Sequence, residues 1–343
     1  MSFSSLAQAQ YYATALGLTG NPLKTKLHDI IKGHNQQTYS QLWTHYYFTD
    51  RNASNQMLDI YSNIPNGTWP YVYIYSTDQC GNAQNHEHSC YNREHTWPAT
   101  FFNDFYPMYS DLFHVMPSDA YVNNKRNNFP YGKVNTIVDT FLNGTKLGKG
   151  NTYSNYISTN PNHWEFEPID SFKGDIARNY FYMSTRYMGE DASWYNWEMA
   201  NGADLTPEAI TLLLSWHHLD PVSQKEIDRN NAIYSIQGNR NPFIDYPQFV
   251  DCIWGNSDCT YLPVKDIKIA TLKIYPNPVQ DVLQIEGLQE KINRKCVYSV
   301  DGRMVKQIYD SESTVDLQNL STGIYYLEVA TDKTIYRQTF SKR

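Results

Sequence analysis

Residues 91–98 read Tyr91-Asn-Arg-Glu-His-Thr-Trp-Pro98, an acid directly beside a histidine with Trp-Pro behind it. A second polar string follows, Asp111-Leu-Phe-His-Val-Met-Pro-Ser-Asp-Ala-Tyr-Val-Asn-Asn-Lys-Arg-Asn-Asn-Phe129. These residue types suit phosphodiester hydrolysis. A neutral imidazole is the natural base for taking a proton from water near pH 7. The phosphoryl oxygens and the leaving 3′-oxygen need positive charge, which a hard divalent cation supplies. Mg²⁺ keeps several of its waters, so one carboxylate and one amide oxygen suffice to hold it. On this reading His95 is the general base, and Glu94 and Asn123 are the ligands of Mg²⁺, with Mn²⁺ as a substitute. Arg126 steadies the phosphate as a fork donor. An acid–His dipeptide is by itself a weak motif, and the plain alternative is a hydrogen-bonded core histidine beside a surface acid.

Two strands and a helix would have to position these groups. Leu112 to Met116 reads as a strand, and Ser118 as the N-cap of a helix over Asp119 to Asn127. On that helix Asp119, Asn123, Arg126 and Asn127 fall on one polar face. Neighbours on a regular strand point to opposite faces, so Glu94 and His95 share a site only if the strand ends or bends there. Pro98 makes such an end plausible.

Residues 91–129 resemble the bacterial endonuclease I family, in Asn92 to Pro98, Asp111 to Pro117 and Val122 to Asn128. The resemblance continues through Phe166 to Asp170, Lys173 to Arg178, Phe181 to Met183, Trp216-His, Asp220 to Val222 and Gln237 to Asp245, and so covers roughly residues 10–254. It implies an α+β fold, a His-Me finger (ββα-metal) domain with helical surroundings. It also implies His95 as general base, Glu94 and Asn123 on one Mg²⁺, and 5′-phosphate and 3′-hydroxyl products from DNA and often RNA. Some relatives carry a catalytic arginine in a longer insertion after the Glu-His pair. Here residues 96–110 contain no Arg or Lys, which leaves Arg126 as the candidate. Phe113 stands where relatives often have a polar histidine.

The tail has another character. Leu283/Ile285, Tyr298/Val300, Tyr325/Leu327/Val329 and Ile335 to Phe340 alternate as strands between turns at Pro276-Asn277-Pro278, Asp301-Gly302 and Thr322-Gly323. That pattern is a small antiparallel β-sandwich. Ile274 to Val279, Tyr298 to Arg303 and Leu320 to Leu327 resemble the C-terminal sorting domain of the type IX secretion system. This implies export across the outer membrane, with the secretion machinery as a partner, followed by removal of the tail or attachment at the surface. The expected division is residues 1–262 for the nuclease-like part and 263–343 for the sorting domain.

Composition bounds these readings. With 41% hydrophobic residues and 29 tyrosines, the chain can bury a large core, which excludes global disorder. No run approaches 18 apolar residues, so nothing in the sequence reads as a membrane-spanning helix. The first 263 residues hold 16 Lys and Arg against 25 Asp and Glu, a net charge of −9. That excludes coating of nucleic acid by bulk charge and predicts weak, salt-sensitive affinity. Ala7-Gln8-Ala9 looks like the end of a trimmed secretory signal. Cys80 and Cys90, and Cys252 and Cys259, are spaced for two local disulfides; free thiols, or zinc on Cys80, His86, His88 and Cys90, are the alternatives. Cys296 is expected to be a buried small residue.

Further strings carry two readings each. Residues 174–188 predict a helix with an apolar stripe of Ile176, Tyr180, Met183 and Tyr187, and its Arg178 and Arg186 face either solvent or phosphate. Residues 206–217 predict another helix. Trp216-His217-His218 and the 237–245 string read as packing rather than chemistry. A surface adhesin would need repeats or binding modules, and none is visible. The remaining rival to a nuclease is a degenerate domain that binds nucleic acid without cutting it.

Overall fold

The computed structural model describes residues 5–81, 84–154, 160–255, 272–288, 290–299, 304–308, 310–331 and 335–343. The chain divides into two compact units, Met1–Thr260 and Tyr261–Arg343. The expected boundary at 262, Cys259, Val300 and the Asp301-Gly302 turn lie outside the described residues.

The first unit mixes helix and sheet. Helix α1 is Ser5–Tyr11 and α2 is Gly20–Ile31, which buries Leu23, Leu27 and Ile31 at the spacing of one helix face. A single 3₁₀ turn, Tyr39–Gln41, is capped by Thr38 and runs into α3, Leu42–Thr49. Strand β1 (Tyr91–His95), strand β2 (Val115–Asp119) and helix α4 (Ala120–Arg126) follow. Strands β3 (Val134–Thr140), β4 (Lys146–Gly150) and β5 (Trp164–Glu167) form an antiparallel sheet in that order. Next come α5 (Asp170–Arg186), a short pair β6 (Ala200–Asn201) and β7 (Asp204–Leu205), then α6 (Pro207–Leu219), α7 (Gln224–Gln237), α8 (Pro242–Asp245) and α9 (Phe249–Ile253).

Three expectations change. Residues 71–74 join no sheet beyond a bridge from Ile74 to Gln56, and the chain turns at 75–77, with Ser76 at φ 67°. The Asp78 carboxylate accepts from Ile74 N at 2.6 Å, a local bond that replaces a ladder partner. The loop expected over 140–163 contains β4. Gly148 is what admits it there, since a Cβ at that position would lie 2.1 Å from Thr136 O on β3. Helix α5 has no exposed face to speak of: every residue from Phe172 to Arg186 is buried, so it is the central helix of the unit. Helix α6 starts as its sequence predicts, with Thr206 Oγ1 accepting from Ala209 N ahead of Pro207.

A disulfide joins Cys80 to Cys90, across a separation of 10 residues, immediately before β1. Both sulfurs are thereby used, which removes the zinc reading. A crosslink over a loop of this size stabilises by about 2–3 kcal/mol. Dithiothreitol is therefore expected to lower the urea midpoint of the first unit. A midpoint identical under oxidising and reducing conditions would show that the bond contributes nothing.

The second unit is β-rich. Strands β8 (Lys273–Tyr275), β9 (Val282–Glu286) and β12 (Thr314–Asp316) form one sheet in the order β12-β9-β8. Strands β10 (Ile292–Ser299), β11 (Met304–Ile308), β13 (Gly323–Thr331) and β14 (Ile335–Lys342) form the other, in the order β11-β10-β13-β14. Both are antiparallel, and Val279, Leu283, Val297, Val315, Leu327 and Phe340 belong to their shared core. Cys296 is a buried free thiol, as expected.

Candidate active site

β1 and β2 pair antiparallel, with Glu94 opposite Met116 and His95 opposite Val115. Thr96 N bonds to His114 O and Ala120 N to Cys90 O, so the alternating ladder leaves Arg93 and Pro117 at a non-hydrogen-bonded position. Pro117, which has no N–H to give, is therefore tolerated inside a strand. This moves the predicted elements along the chain: the strand expected at Leu112–Met116 is Val115–Asp119, and the helix cap is Asp119 rather than Ser118. Asp119 Oδ1 accepts from Tyr121 N at 2.7 Å and Val122 N at 3.0 Å. Its Oδ2 accepts from Tyr71 Oη, Tyr73 Oη and His88 N. One carboxylate thus sets the direction in which α4 leaves β2. The expected polar helix face dissolves: Asp119 is the cap, Asn127 lies past the helix end with φ 51°, and Arg126 is buried.

Glu94 is buried, and both of its donors converge on Oε1: Tyr61 Oη at 2.6 Å and Arg126 Nη1 at 3.1 Å. Burial pushes its carboxyl up to about 7, against the pull of Arg126 and the Tyr61 bond. Asn123, half-buried on α4, spends Nδ2 on Asn92 Oδ1 at 2.8 Å and Arg93 O at 3.3 Å. What is left for a ligand is Glu94 Oε2 and Asn123 Oδ1, two hard oxygens. Such a pair fits Mg²⁺ or Mn²⁺ and does not fit a soft metal. No group of three or more His, Cys, Asp or Glu placed to hold a metal occurs among the described residues.

Arg126 does not have the surroundings expected of it. It is 1% exposed, and it donates to Glu94 Oε1, to His95 O at 3.0 Å and to Thr96 O at 2.9 Å, with Tyr131 under its guanidinium. It ties the end of β1 to α4 and orients Glu94. A fork for a substrate phosphate would need those donors free.

His95 lies on the other face of β1. Its ring stacks on Tyr109 (5.0 Å between centroids) and Tyr39 (5.6 Å), with Phe102 and His114 beside it. No bend brings the Glu94 and His95 side chains together, and β1 simply ends at His95. His95 Nε2 is 3.1 Å from Tyr109 O. A carbonyl only accepts, so the neutral ring carries its proton on Nε2 and presents a lone pair on Nδ1. Burial, then His114, Arg93 and Arg126, hold the imidazole down to about 3, against the Tyr109 carbonyl. The ring is therefore neutral near pH 7.

The cation on that face is Arg93, which the reading of spacings passed over. Its guanidinium lies 3.6 Å over the Tyr39 ring and 4.3 Å over Trp43, and Nη1 donates to Tyr39 O at 2.6 Å. Arg93 and His95 both touch Tyr39, as residues two apart on a strand must when they share a neighbour. That period-two relation was the signal available in the sequence.

The other strings are structural. Arg178 makes a bidentate pair with Glu226, and Arg186 bonds His34 and Glu190. His217 Nδ1 accepts from Arg178 while His218 reaches Asp251, so the two imidazoles diverge. Arg240 pairs with Asp245 inside a buried polar turn.

Residues 19–248 match the family described as Endonuclease I, and residues 273–342 match the Secretion system C-terminal sorting domain. The chain is 35% identical over 254 residues to an extracellular ribonuclease of Bacillus subtilis strain 168 and 34% identical to one of Bacillus amyloliquefaciens. Each alignment covers 71% of this chain and 78% of the relative. An extracellular deoxyribonuclease of Aeromonas hydrophila is 28% identical over 153 residues, 42% of this chain and 52% of the relative.

Proposed function

This chain belongs to the endonuclease I family, and on that premise we propose a His-Me finger (ββα-metal) endonuclease that hydrolyses phosphodiester bonds of RNA and DNA with one divalent cation. It is a nuclease, exported to the exterior or the cell surface by its sorting domain. The observation that supports the finer reading is His95 Nε2 at 3.1 Å from the Tyr109 carbonyl: a carbonyl only accepts, so this contact favours the tautomer with Nδ1 unprotonated, and we assign Nδ1 as the base.

We place the scissile phosphate beside His95, where β1 ends and groups from its two faces come nearest to each other. His95 Nδ1 takes the proton from water, and Arg93 steadies a non-bridging phosphoryl oxygen. Glu94 Oε2 and Asn123 Oδ1 would hold Mg²⁺ or Mn²⁺, which supplies positive charge to the phosphoryl group and the leaving oxygen when bound. Arg126 keeps Glu94 in place. The P–O3′ bond breaks as the water oxygen bonds to phosphorus, and the 3′-oxygen takes a proton from solvent, leaving 3′-hydroxyl and 5′-phosphate ends. Relatives named as ribonuclease and as deoxyribonuclease support both substrates.

Plasmid and RNA cleavage in Mg²⁺, in Mn²⁺ and in EDTA tests this reading. Cutting in both metals, abolished by EDTA and restored by excess Mg²⁺, is the expected result. A protein that leaves both substrates intact in every divalent metal is instead the non-cutting binder. Arg93→Ala is expected to lower kcat/KM by about 10- to 100-fold, the weight of one charge-assisted phosphate contact. An Arg93→Ala enzyme with unchanged kcat/KM would remove that residue from the site.

A further inference from the structure

We propose that Phe105 and Tyr106 form a stacking platform for unpaired bases beside His95, which makes single-stranded nucleic acid the preferred substrate; this rests on the site assigned above. The two adjacent rings are 51% and 43% exposed, in a unit that buries most of its large aromatics. Asn103 and Asp104, both at positive φ, turn the chain outward just before them. The loop is nevertheless tied down. Phe105 N donates to Phe102 O, Tyr109 N donates to Phe105 O, and Tyr39 N donates to Tyr106 Oη at 3.3 Å. Beyond them His114 Nε2 donates to Met108 O at 2.7 Å and His95 Nε2 to Tyr109 O. The backbone bonds fix the loop and the Tyr106 hydroxyl bond fixes that ring, so the pair is presented from a set frame to a planar ligand.

The platform is continuous with the base. The Tyr106 ring lies 5.6 Å from Tyr109, which lies 5.0 Å from the imidazole of His95. Tyr39, 4.3 Å from Tyr109, carries the Arg93 guanidinium on its face. An aromatic run with a cation at one end is the arrangement that binds single strands, where bases stack on side chains while the phosphate meets the charge. Charge points the same way. With a net −9 over the first 263 residues, this unit has little to hold a duplex by its backbone. In a duplex the base faces are already covered by their neighbours, and only unpaired bases can use the rings.

The test compares the full chain with Phe105→Ala/Tyr106→Ala and with the ring-keeping pair Phe105→Tyr/Tyr106→Phe. Binding of a fluorescent single-stranded RNA, single-stranded DNA and duplex DNA of one sequence is read by anisotropy in EDTA, so the result does not depend on turnover. Cleavage of the same three in Mg²⁺ is read in parallel. The wild type is expected to bind both single strands at least about tenfold more tightly than duplex. The alanine pair is expected to lose about 10- to 100-fold on single strands, mainly in Kd and KM, and to bring the single-strand to duplex ratio toward one. The ring-keeping pair retains the preference. Equal binding of duplex and single strands, or an alanine pair that binds like wild type, overturns the proposal. A loss confined to RNA points to 2′-hydroxyl recognition and overturns it too. Selective binding without cleavage in any metal would keep the platform and sink the nuclease reading, so the two failures are separable.

Discussion

His95→Gln is expected to lower kcat for plasmid nicking at saturating Mg²⁺ by about 10²- to 10⁴-fold, the range for a lost general base, while the protein remains folded at the assay temperature. Glutamine keeps an N–H for the Tyr109 carbonyl and takes away the basic nitrogen, so it separates proton transfer from support of the loop. His95→Ala is expected to show the same loss of turnover together with a less stable 108–110 turn, since His95 and His114 each hold one of its carbonyls. KM should change little in the glutamine variant, because the imidazole acts on water rather than on the bound chain. A His95→Gln enzyme within tenfold of wild-type kcat would mean that another group takes the proton.

The largest effect on stability is expected at Arg178 and Glu226. The Arg178 guanidinium is fully buried, with Nε and Nη2 on the two oxygens of Glu226 and Nη1 on Asp220 O at 2.9 Å. Glu226 is also the third residue of α7, where it closes a capping box with Ser223. Removing one partner leaves a charge in the interior without compensation, which costs about 3–5 kcal/mol. Against a typical domain stability of about 5–15 kcal/mol, Arg178→Met or Glu226→Leu should shift urea unfolding far to lower denaturant. The Arg178→Met/Glu226→Leu double variant should lose less than the sum of the two single losses, because the two charges leave together, and what remains is the buried Asp175, 3.6 Å from Arg178 in the wild type. Single variants that unfold within about 1 kcal/mol of wild type would contradict a buried pair. The Gly174 backbone crosses here too: a Cβ on it would meet Asp220 O at 2.0 Å, so only glycine permits this approach.

These two residues also separate what was legible in the sequence from what was not. The order strand, strand, helix could be read from residues 91–129, because alternation and an N-cap are local signals. The helix after Thr206-Pro207 and the apolar face of α2 were legible for the same reason. Four strands of the tail, β9, β10, β13 and β14, showed themselves through period-two alternation between turn residues, while the short β8, β11 and β12 did not. The family and the sorting domain were carried by ordered strings, which survive without any knowledge of contacts.

What spacing did not reveal is where the long charged side chains end. Arg126 and Arg178 look alike in sequence, basic residues on polar helical stretches with room to face a phosphate. Arg126 finds Glu94 32 positions away, and Arg178 finds Glu226 48 positions away. A helix pattern carries no record of partners at that distance. Arg93 was overlooked for the opposite reason: its face is decided by strand alternation, but its use depends on Tyr39 and Trp43, which arrive from another part of the chain. The sequence by itself determined which groups are present and which local elements carry them. Only the tertiary structure decided which arginine is buried to hold Glu94 and which lies on the face of His95. The physical reason is that desolvating a guanidinium is tolerated only where distant acceptors converge on it.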